Sequence, residues 1–423
     1  MSEQRTADSN GIPSAAFGPR VLALADRLAT WSETPDGLSC TYLTTAHRRV
    51  AAELLGWMSA AGMTAEIDAV GNVVGRRPGT RADAKTVIVA SHYDTVPNAG
   101  KYDGRLGILV ALAVAERLHK SGHALPYQLE IIAFAEEEGV RFAAPYIGSS
   151  AVAGRFDQRL LERRDADGFF LRDVMREAEL DPDAIPALAR RRERLRAYLE
   201  VHIEQGPVLL QHDLPLGVVT SIAGNVRYLV TLTGATGHAG TVPMTMRHDA
   251  AAAAAEIVLS VERRCAAEPT LVGTVGKLNV PGGAINVIPR RCDLSIDIRA
   301  DDDATRDAAI TDILADIEAI AGRRGVSAEI KETLRMPAVP CSQAIGDHLA
   351  AAIERTGQKA LRLPSGAGHD AVMFNGLTDI GMLFVRCGNG GISHSPLETV
   401  TADDVDIAAQ VLLDVLLHLD SDL

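Results

Sequence analysis

The length, composition and charge of the chain exclude several classes of protein. Its 423 residues allow two or three domains at roughly 100 to 200 residues each, and a composition of 47% apolar and 23% charged residues is typical of a globular protein, not of a fibrous or disordered one. Acidic residues outnumber basic ones by 55 to 42, and the resulting net charge of −13 repels polyphosphate, so we predict no nucleic-acid partner.

Apolar spacing along the first half of the chain predicts an α/β domain. In chain order it predicts helices over 21–31 and 47–62, a strand over 85–90, a helix over 107–120, and strands over 128–134 and 196–203. Each strand ends in a polar cluster, and the three clusters read SHYDT, AEEEG and HIEQG. Because strands that alternate with helices form a mostly parallel sheet, these clusters lie at the strand ends where ligands bind.

A different pattern begins at about residue 217. Strands over 226–233, 271–280 and 292–300, with helices over 249–264 and 302–323, indicate the β-α-β-β-α-β order of a ferredoxin-like module. The first pattern then returns with a helix over 341–356, a strand over 381–385 and a helix over 402–419. We therefore predict one domain of residues 1–216 and 332–423, an inserted domain of residues 217–331, and a solvated helical excursion over 155–197.

The cysteines and the N-terminal sequence predict a compartment. The five cysteines lie far apart and form no CxxC pair, which favours a reducing environment over a disulfide framework. The start, MSEQRTADSN, lacks a basic stretch followed by an apolar run, and no segment reaches the roughly 18 apolar residues of a membrane helix. We therefore predict a cytoplasmic protein with no membrane partner.

Histidines and carboxylates at the predicted strand ends are candidate metal ligands. No local metal motif such as HExxH joins them, so spacing alone leaves a solvated or hydrogen-bonded role open. The extended SHYDT stretch places His92 and Asp94 on the same side of the chain, so Asp94 can accept a proton from the far ring nitrogen of His92. The candidate ligands are His92, Asp103, Glu138, His202 and His394.

Three adjacent carboxylates, Glu136, Glu137 and Glu138, follow an apolar strand and repel one another unless cations neutralise them. A solvated loop face is one interpretation. Strand alternation gives another, in which Glu136 and Glu138 point one way and Glu137 the other, so that one carboxylate binds metal while its neighbour works as a base.

Nine motifs, in order along nearly the whole chain, resemble the co-catalytic metal exopeptidases and amidases, and most closely their hydantoinase/carbamoylase amidase branch. They read SHYDT, KYDGRLG, AFAEEEGVRF, EVHIEQGPVL, TGHAGTVPM, AINVIP, SIDIRA, SGAGHDA and GGISHSP. The resemblance implies an α/β fold with a mostly parallel-sheet di-metal catalytic domain. It also implies that the inserted ferredoxin-like α+β domain serves as a dimerisation and lid domain, giving a homodimer.

The resemblance also assigns roles to the candidate ligands. It implies that His92 and His202 hold one divalent metal ion, that Glu138 and His394 hold a second, and that Asp103 bridges the two. It further implies a cis peptide after Asp103. Zinc or manganese, and also cobalt or nickel, suit histidine and carboxylate ligands. The implied general base is Glu137, and the implied partner of the ligand His92 is Asp94.

Further residues match the family's substrate contacts. The resemblance implies that His238 reaches across a dimer interface to stabilise the oxyanion, although a turn histidine is the simpler interpretation. It implies that Asn286 and Arg299 hold a substrate carboxylate, although Arg299 also fits an ordinary edge charge. Gln205 and Gly368 are implied as further contacts. His369 and Asp370 are implied as supports of the metal ligands.

The implied activity is hydrolysis of the ureido (carbamoyl) C–N bond of a small N-carbamoyl carboxylate, with release of ammonia and CO2. The stretches GHAGTVPMTMRHDA and GMLFVRCGNGGISHSP are more similar to allantoate amidohydrolases, so allantoate is the expected substrate. N-Carbamoyl-L-amino acids, β-ureidopropionate and ureidoglycolate are alternatives that need the same site residues. A catalytically silent binding relative is an alternative of another class, which a missing ligand or base would mark.

Overall fold

A mixed β-sheet of nine strands dominates the fold. The structure is a computed structural model that describes residues 16–419, so the N-terminal stretch behind the cytoplasmic prediction lies outside the described residues. The strands are β1 (Thr64–Ile67), β2 (Val73–Arg77), β3 (Thr86–His92), β4 (Gln128–Phe134), β5 (Leu195–Ile203), β6 (Leu216–Ile222), β7 (Gly224–Thr233), β8 (Gly237–His238), β9 (Leu271–Asn279), β10 (Val287–Ile288), β11 (Arg291–Ala300), β12 (Ser327–Met336), β13 (Val339–Pro340), β14 (Leu361–Ser365) and β15 (Asp379–Val385).

Helices lie between most of the long strands. They are α1 (Gly18–Ala29), α2 (Thr45–Ala60), α3 (Arg105–Lys120), α4 (Ile147–Val152), α5 (Leu171–Glu177), α6 (Val208–Gln211), α7 (Ala250–Ala266), α8 (Asp303–Arg324), α9 (Gln343–Arg355) and α10 (Ala402–His418). Short 3₁₀ segments cover Gln158–Glu162, Pro182–Leu188, Arg192–Arg194, Met244–Met246, Asp370–Phe374 and Asn389–Gly391. Within residues 16–419, no helix combines the length and the apolarity that a membrane crossing needs.

The centre of the nine-stranded sheet is parallel. Its order is β1-β2-β4-β3-β5-β15-β6-β13, with β14 paired to β6, and the four adjacent strands β4, β3, β5 and β15 run in the same direction. The flanking pairs β1–β2, β2–β4 and β15–β6 are antiparallel, so the predicted parallel sheet describes the centre and not the edges. Every residue of β3 is buried, as expected for a parallel strand covered on both faces.

The register brings the carboxyl ends of the central strands to one edge. His92, the last residue of β3, lies opposite Phe134, the last residue of β4. His202 lies opposite Phe384 near the ends of β5 and β15. The polar clusters that follow these strands therefore emerge side by side.

A smaller unit consists of residues 221–340 and 364–368. Its antiparallel sheet has the order β12-β7-β11-β9, and with α7 and α8 the elements follow the predicted β-α-β-β-α-β order. Apolar side chains of the two helices, such as Ile257 and Ile317, form a separate core with sheet residues such as Ile296. Aspartates cap both helices, because Asp249 accepts from the N–H groups of residues 251 and 252 and Asp302 accepts from that of residue 305.

The segment 155–197 departs from the helical excursion predicted for it. Its only α-helix is the seven-residue α5; the rest is short 3₁₀ turns and irregular chain, and β5 already begins at Leu195. Pro182 and Pro186 both lie in one of these turns, and proline supplies no N–H for a continued helix. The density of charged residues in this segment indicated solvation but not helix.

Candidate metal centre

The five candidate ligands converge at the carboxyl edge of the parallel strands. His92 ends β3, His202 is the second-last residue of β5, and Glu138 lies four residues beyond β4. Asp103 lies two residues before α3, and His394 lies in the loop that follows β15. Four of the five are buried or largely buried, whereas His394 is exposed.

The Asp103 carboxylate lies at the centre of the cluster. Its Oδ1 atom is 3.3 Å from Nε2 of His202 and 3.9 Å from Nε2 of His92, and its Oδ2 atom is 2.9 Å from Nε2 of His394. The same nitrogen of His394 is 3.4 Å from Oε1 of Glu138. Two ligand groups therefore share Asp103: one adds His92 and His202, and the other adds Glu138 and His394.

This donor set fits divalent metal ions. Three imidazoles and two carboxylates are ligands that zinc and manganese accept, and the ligand atoms of each group lie within 4.8 Å of one another. A carboxylate that is 3% exposed among three histidines needs positive charge beside it. Burial alone raises the pKa of Asp103, but the hydrogen bond from His394 and the nearby His202 and His92 hold that pKa below its ordinary value.

His202 presents its Nε2 lone pair to the cluster. Its Nδ1 atom is 2.9 Å from the carbonyl oxygen of Ile203, and the N–H of Gly104 donates to its Nε2 atom at 3.2 Å. Burial lowers the pKa of His202 to about 4, which favours the neutral imidazole that binds metals. Gly104 has φ of +65°, and a Cβ there would overlap the His92 ring, so the position requires glycine.

The peptide bond between Asp103 and Gly104 differs from the expectation. Every peptide bond among residues 16–419 is trans, including this one, whereas the family resemblance implied a cis bond. The positive φ of Gly104 turns the chain into α3 directly after Asp103.

Asp94 organises the residues around it. Its Oδ1 atom is 3.3 Å from Nδ1 of His92 and accepts the N–H of Glu137 at 3.1 Å, and its Oδ2 atom accepts the N–H of Glu138 at 3.1 Å. Burial lowers the pKa of His92, but the hydrogen bond and charge of Asp94 outweigh this effect and hold the pKa well above its ordinary value. One buried carboxylate thus positions a ligand ring and two consecutive backbone amides.

The carboxylates that follow β4 do not continue its alternation. The strand ends at Phe134, and Glu137 and Glu138 both have a carboxylate oxygen near a ring nitrogen of His92. The expectation that these two side chains point in opposite directions is therefore wrong, because Asp94 holds their backbone outside the sheet ladder. Burial raises the pKa of Glu137 well above its ordinary value and that of Glu138 to about 7. A raised pKa makes the Glu137 carboxylate a stronger proton acceptor than an ordinary carboxylate.

Gln205 lies against the centre of the cluster. Its side-chain amide donates to Oδ1 and Oδ2 of Asp103 at 3.2 and 3.0 Å, and its nitrogen is 3.4 Å from Nε2 of His394. Both Gln205 and His394 adopt positive φ, 56° and 53°, so each loop bends sharply to present its side chain. The hydrogen bond to Asp103 raises the pKa of His394 to about 9, and a cation beside Asp103 therefore competes with a proton for this nitrogen.

The remaining proposed substrate contacts lie in the smaller unit. The Arg299 guanidinium donates to Asp297 through Nε at 2.8 Å and through a terminal nitrogen at 3.2 Å, and its other terminal nitrogen donates to the carbonyl of Gly366 at 2.8 Å. His238 is exposed, and its Nδ1 atom accepts the N–H of Gly240 at 3.0 Å. Asn286 and Gly368 are also exposed.

Two buried glutamates escaped the sequence analysis. Glu200 is 1% exposed and accepts hydrogen bonds from Ser91 and Tyr198, and its carboxylate lies with ring nitrogens of His202 and His369. Its position two residues before His202 in β5 could have revealed it, since both side chains lie on one face. Glu398 accepts backbone N–H groups of the Asp103 loop, and no local sequence pattern indicates it.

Comparisons with known proteins identify the family. The model of peptidase family M20/M25/M40 matches residues 88–418. An N-carbamoyl-L-amino acid amidohydrolase of Geobacillus stearothermophilus is 40% identical over 396 residues, which cover 93% of this chain and 97% of that protein. Allantoate deiminase 2 of Glycine max is 39% identical over 419 residues, which cover 92% of this chain and 86% of that protein.

A solved structure agrees with these relatives. The crystal structure of an amidase of the hydantoinase/carbamoylase family from Burkholderia multivorans has a TM-score of 0.89 and 32% identity, and the match covers 95% of this chain and 97% of that one. The matches extend over almost the whole chain, in agreement with the family resemblance of the sequence motifs. The chain therefore belongs to peptidase family M20/M25/M40 and is an amidohydrolase of its hydantoinase/carbamoylase branch.

Proposed function

We propose that the chain is a two-metal amidohydrolase that cleaves the ureido C–N bond of an N-carbamoyl carboxylate, with allantoate as its substrate. Water and the ureido group become an amine, ammonia and CO2. The observation that carries the proposal is the Asp103-centred cluster of two ligand groups, with Glu137 beside His92.

In this proposal His92 and His202 hold one divalent ion, Glu138 and His394 hold the other, and Asp103 serves both. Zinc or manganese fits this ligand set, and cobalt or nickel also suits it. When bound, such ions polarise a carbonyl oxygen and lower the pKa of water.

The protein's own groups handle the proton. Glu137 takes a proton from the attacking water at its carboxylate and delivers it to the departing nitrogen. Its burial and raised pKa support this role, because a carboxyl of ordinary pKa would be a weaker proton acceptor at neutral pH. Asp94 keeps Glu137 in place through the backbone N–H.

The substrate's other end requires a cation and neutral donors. We assign its carboxylate to Arg299 and Asn286 in the smaller unit, with Gln205 and Gly368 as further contacts and His238 as the oxyanion donor. We further propose a cytoplasmic homodimer that forms through residues 217–331 and in which His238 serves the partner's site. Arg299 is already paired with Asp297, so a substrate carboxylate would share or displace that partner.

N-Carbamoyl-L-amino acids are the second candidate substrate. The observation that favours them is the 40% identity to an N-carbamoyl-L-amino acid amidohydrolase. Allantoate is favoured by the 39% identity to an allantoate deiminase and by the two stretches noted in the sequence. Both substrates present a ureido group and a carboxylate, so the same site residues serve either.

A comparison of specificity constants tests the proposal. The protein is stripped of metal, reloaded with manganese or zinc, and kcat/KM is measured for allantoate and for a panel of N-carbamoyl-L-amino acids. Glu137→Gln, loaded in the same way, controls for contaminating activity. We expect the highest kcat/KM for allantoate. A higher value for any N-carbamoyl-L-amino acid would reassign the substrate, and no turnover of any ureido carboxylate would refute the reaction class.

A further inference from the structure

We propose that Glu398 is a positioning residue that joins the loop carrying Asp103 to the loop carrying His394, and so sets the geometry of the second ligand group. The inference rests on the proposed two-metal function. Glu398 is not among the ligand groups, and it acts through backbone amides and not by contact with substrate.

The first observation is a pair of hydrogen bonds. Oε1 of Glu398 accepts the N–H of Tyr102 at 2.7 Å and the N–H of Asp103 at 3.1 Å. Glu398 is 3% exposed, so bulk water does not compete for these bonds while the side chain is in place. The two amides belong to the residue that bridges the ligand groups and to the residue before it.

The second observation is the fit between Glu398 and the backbone of Gly100. A Cβ at Gly100 would overlap the Cβ and the carboxylate of Glu398, so the glycine lets the side chain lie flat against this loop. Gly100 has no positive φ, and its backbone conformation therefore does not itself require glycine. The close approach of Glu398 is a sufficient reason for the glycine.

The third observation is the closure of the loop that carries His394. The N–H of Gly388 donates to the carbonyl of Thr399 at 2.8 Å, and the side chain of Asn389 donates to the carbonyl of Leu397 at 2.5 Å. These bonds close residues 388–399 upon themselves. His394 contacts Asp103 directly, since its Nε2 atom lies 2.9 Å from Oδ2 of Asp103. Through its bond to the N–H of Asp103, Glu398 supplies a second, buried connection between the loop that carries His394 and the loop that carries Asp103.

Loss of this connection should weaken metal binding. Removing residues that orient metal ligands typically lowers metal affinity by about 10- to 100-fold. Glu398→Ala should have this effect on at least one of the two ions. Glu398→Gln should keep the affinity within about threefold of wild type, because the amide oxygen can accept both N–H groups and Oε2 has no hydrogen-bond partner in the described residues.

The experiment measures Mn²⁺ binding to the metal-free 423-residue chain by calorimetric titration. Wild type, Glu398→Ala, Glu398→Gln, Gly100→Ala and the double variant Gly100→Ala/Glu398→Ala are compared. Gly100→Ala should displace Glu398 and reproduce the loss of affinity. The double variant should bind no more weakly than Gly100→Ala, because Glu398→Ala keeps the overlapping Cβ but leaves no carboxylate to displace. If Glu398→Ala does not fold, Glu398→Asp, whose shorter side chain cannot reach both amides, is measured instead.

Asp68→Ala is the matched control. Asp68 is a carboxylate that is 8% exposed and accepts two backbone N–H groups, from Val70 and Asn72, but it belongs to no ligand group. Its loss should lower the melting temperature without changing Mn²⁺ affinity. Wild-type affinity in Glu398→Ala, an equal loss in Glu398→Gln, additive losses in the double variant, or an equal loss in Asp68→Ala would each overturn the proposal. If wild type binds two Mn²⁺ but hydrolyses no ureido substrate, only the proposed function fails.

Discussion

Replacing Asp94 with asparagine tests how the catalytic stretch is held in place. The change keeps the shape of the side chain but replaces one acceptor oxygen with an NH2 group, which cannot accept a hydrogen bond. Asp94 serves three donors, Nδ1 of His92 and the backbone N–H groups of Glu137 and Glu138, at 3.1 to 3.3 Å. Because Asp94 is 1% exposed, water cannot replace the missing acceptor.

The size of the effect of Asp94→Asn depends on the N–H group that loses its acceptor. A buried N–H without an acceptor costs about 1 to 3 kcal/mol. Where the metal-bound or reacting site alone bears this cost, metal affinity or kcat/KM falls by up to roughly 5- to 140-fold. We expect both to fall, because Glu138 belongs to a ligand group and Glu137 is the proposed base. Calorimetric metal titration and steady-state kinetics measure the two effects separately.

Asp68→Asn provides the control for this substitution. Asp68 also serves three donors, the backbone N–H groups of Val70 and Asn72 and the side-chain amide of Asn72. The same chemical change there should leave metal affinity unchanged. If Asp94→Asn binds metal and turns over substrate as wild type does, Asp94 does not organise the site.

Four further outcomes are expected. Glu137→Gln should keep its metals by elemental analysis and lose about 10²- to 10⁴-fold in kcat, and retention of half the activity would contradict a general base. Asp103→Asn should lower the content of both metals and His394→Ala that of one; full occupancy in the Asp103 variant would exclude the bridge. Mixed dimers of Glu137→Gln and His238→Ala subunits should regain activity in one site, and no recovery after proven subunit exchange would refute a shared site. Burial raises the pKa of Asp68 from 3.8 to about 6, so the stability that is linked to its protonation is fully present below pH 3.8 and is lost as pH rises through 6. Urea unfolding should therefore show the stability of wild type, relative to that of Asp68→Asn, falling by up to about 3 kcal/mol over this range. A constant difference between the two proteins would contradict the shift.

Several buried elements of the fold were predicted closely from the sequence. The strand over 128–134 and the final helix agree with the structure to within a residue, because the strand contains the apolar run 131–134 and the amphipathic helix has a clear period. The edge strand β1, its neighbour β2 and the buried strand β6 were not predicted. Residues of β1 are mostly exposed, so its composition carries no apolar pattern. The pairing of β2 with β4 joins residues such as Val73 and Ala133, which are far apart in the sequence, so no local pattern indicates it.

The sequence predicted the part of the candidate site that lies at the ends of the parallel strands. His92 and His202 end parallel strands, and the topology alone brings them together. The orientation of Glu137 was not predictable by alternation, because the strand ends at Phe134 and a side chain 43 residues earlier, that of Asp94, controls the backbone there. The place of His394 in the cluster depends on a loop with positive φ that has no periodic pattern.

The residues that bind metal are easier to recognise in a sequence than the residues that orient them. Metal ligands must have suitable donor atoms, so histidines and carboxylates at strand ends indicate them in the sequence. The orienting carboxylates Asp94 and Glu398 bind backbone N–H groups, which every residue except proline has, and the partners of Glu398 lie 295 and 296 residues away. A sequence can therefore contain all the metal ligands of a family and still lack the residues that hold those ligands in place. Orienting partners typically contribute about 10- to 100-fold to metal affinity, so two chains with the same ligands can differ by that factor. The difference is visible in the hydrogen bonds of the folded structure and not in the ligand residues.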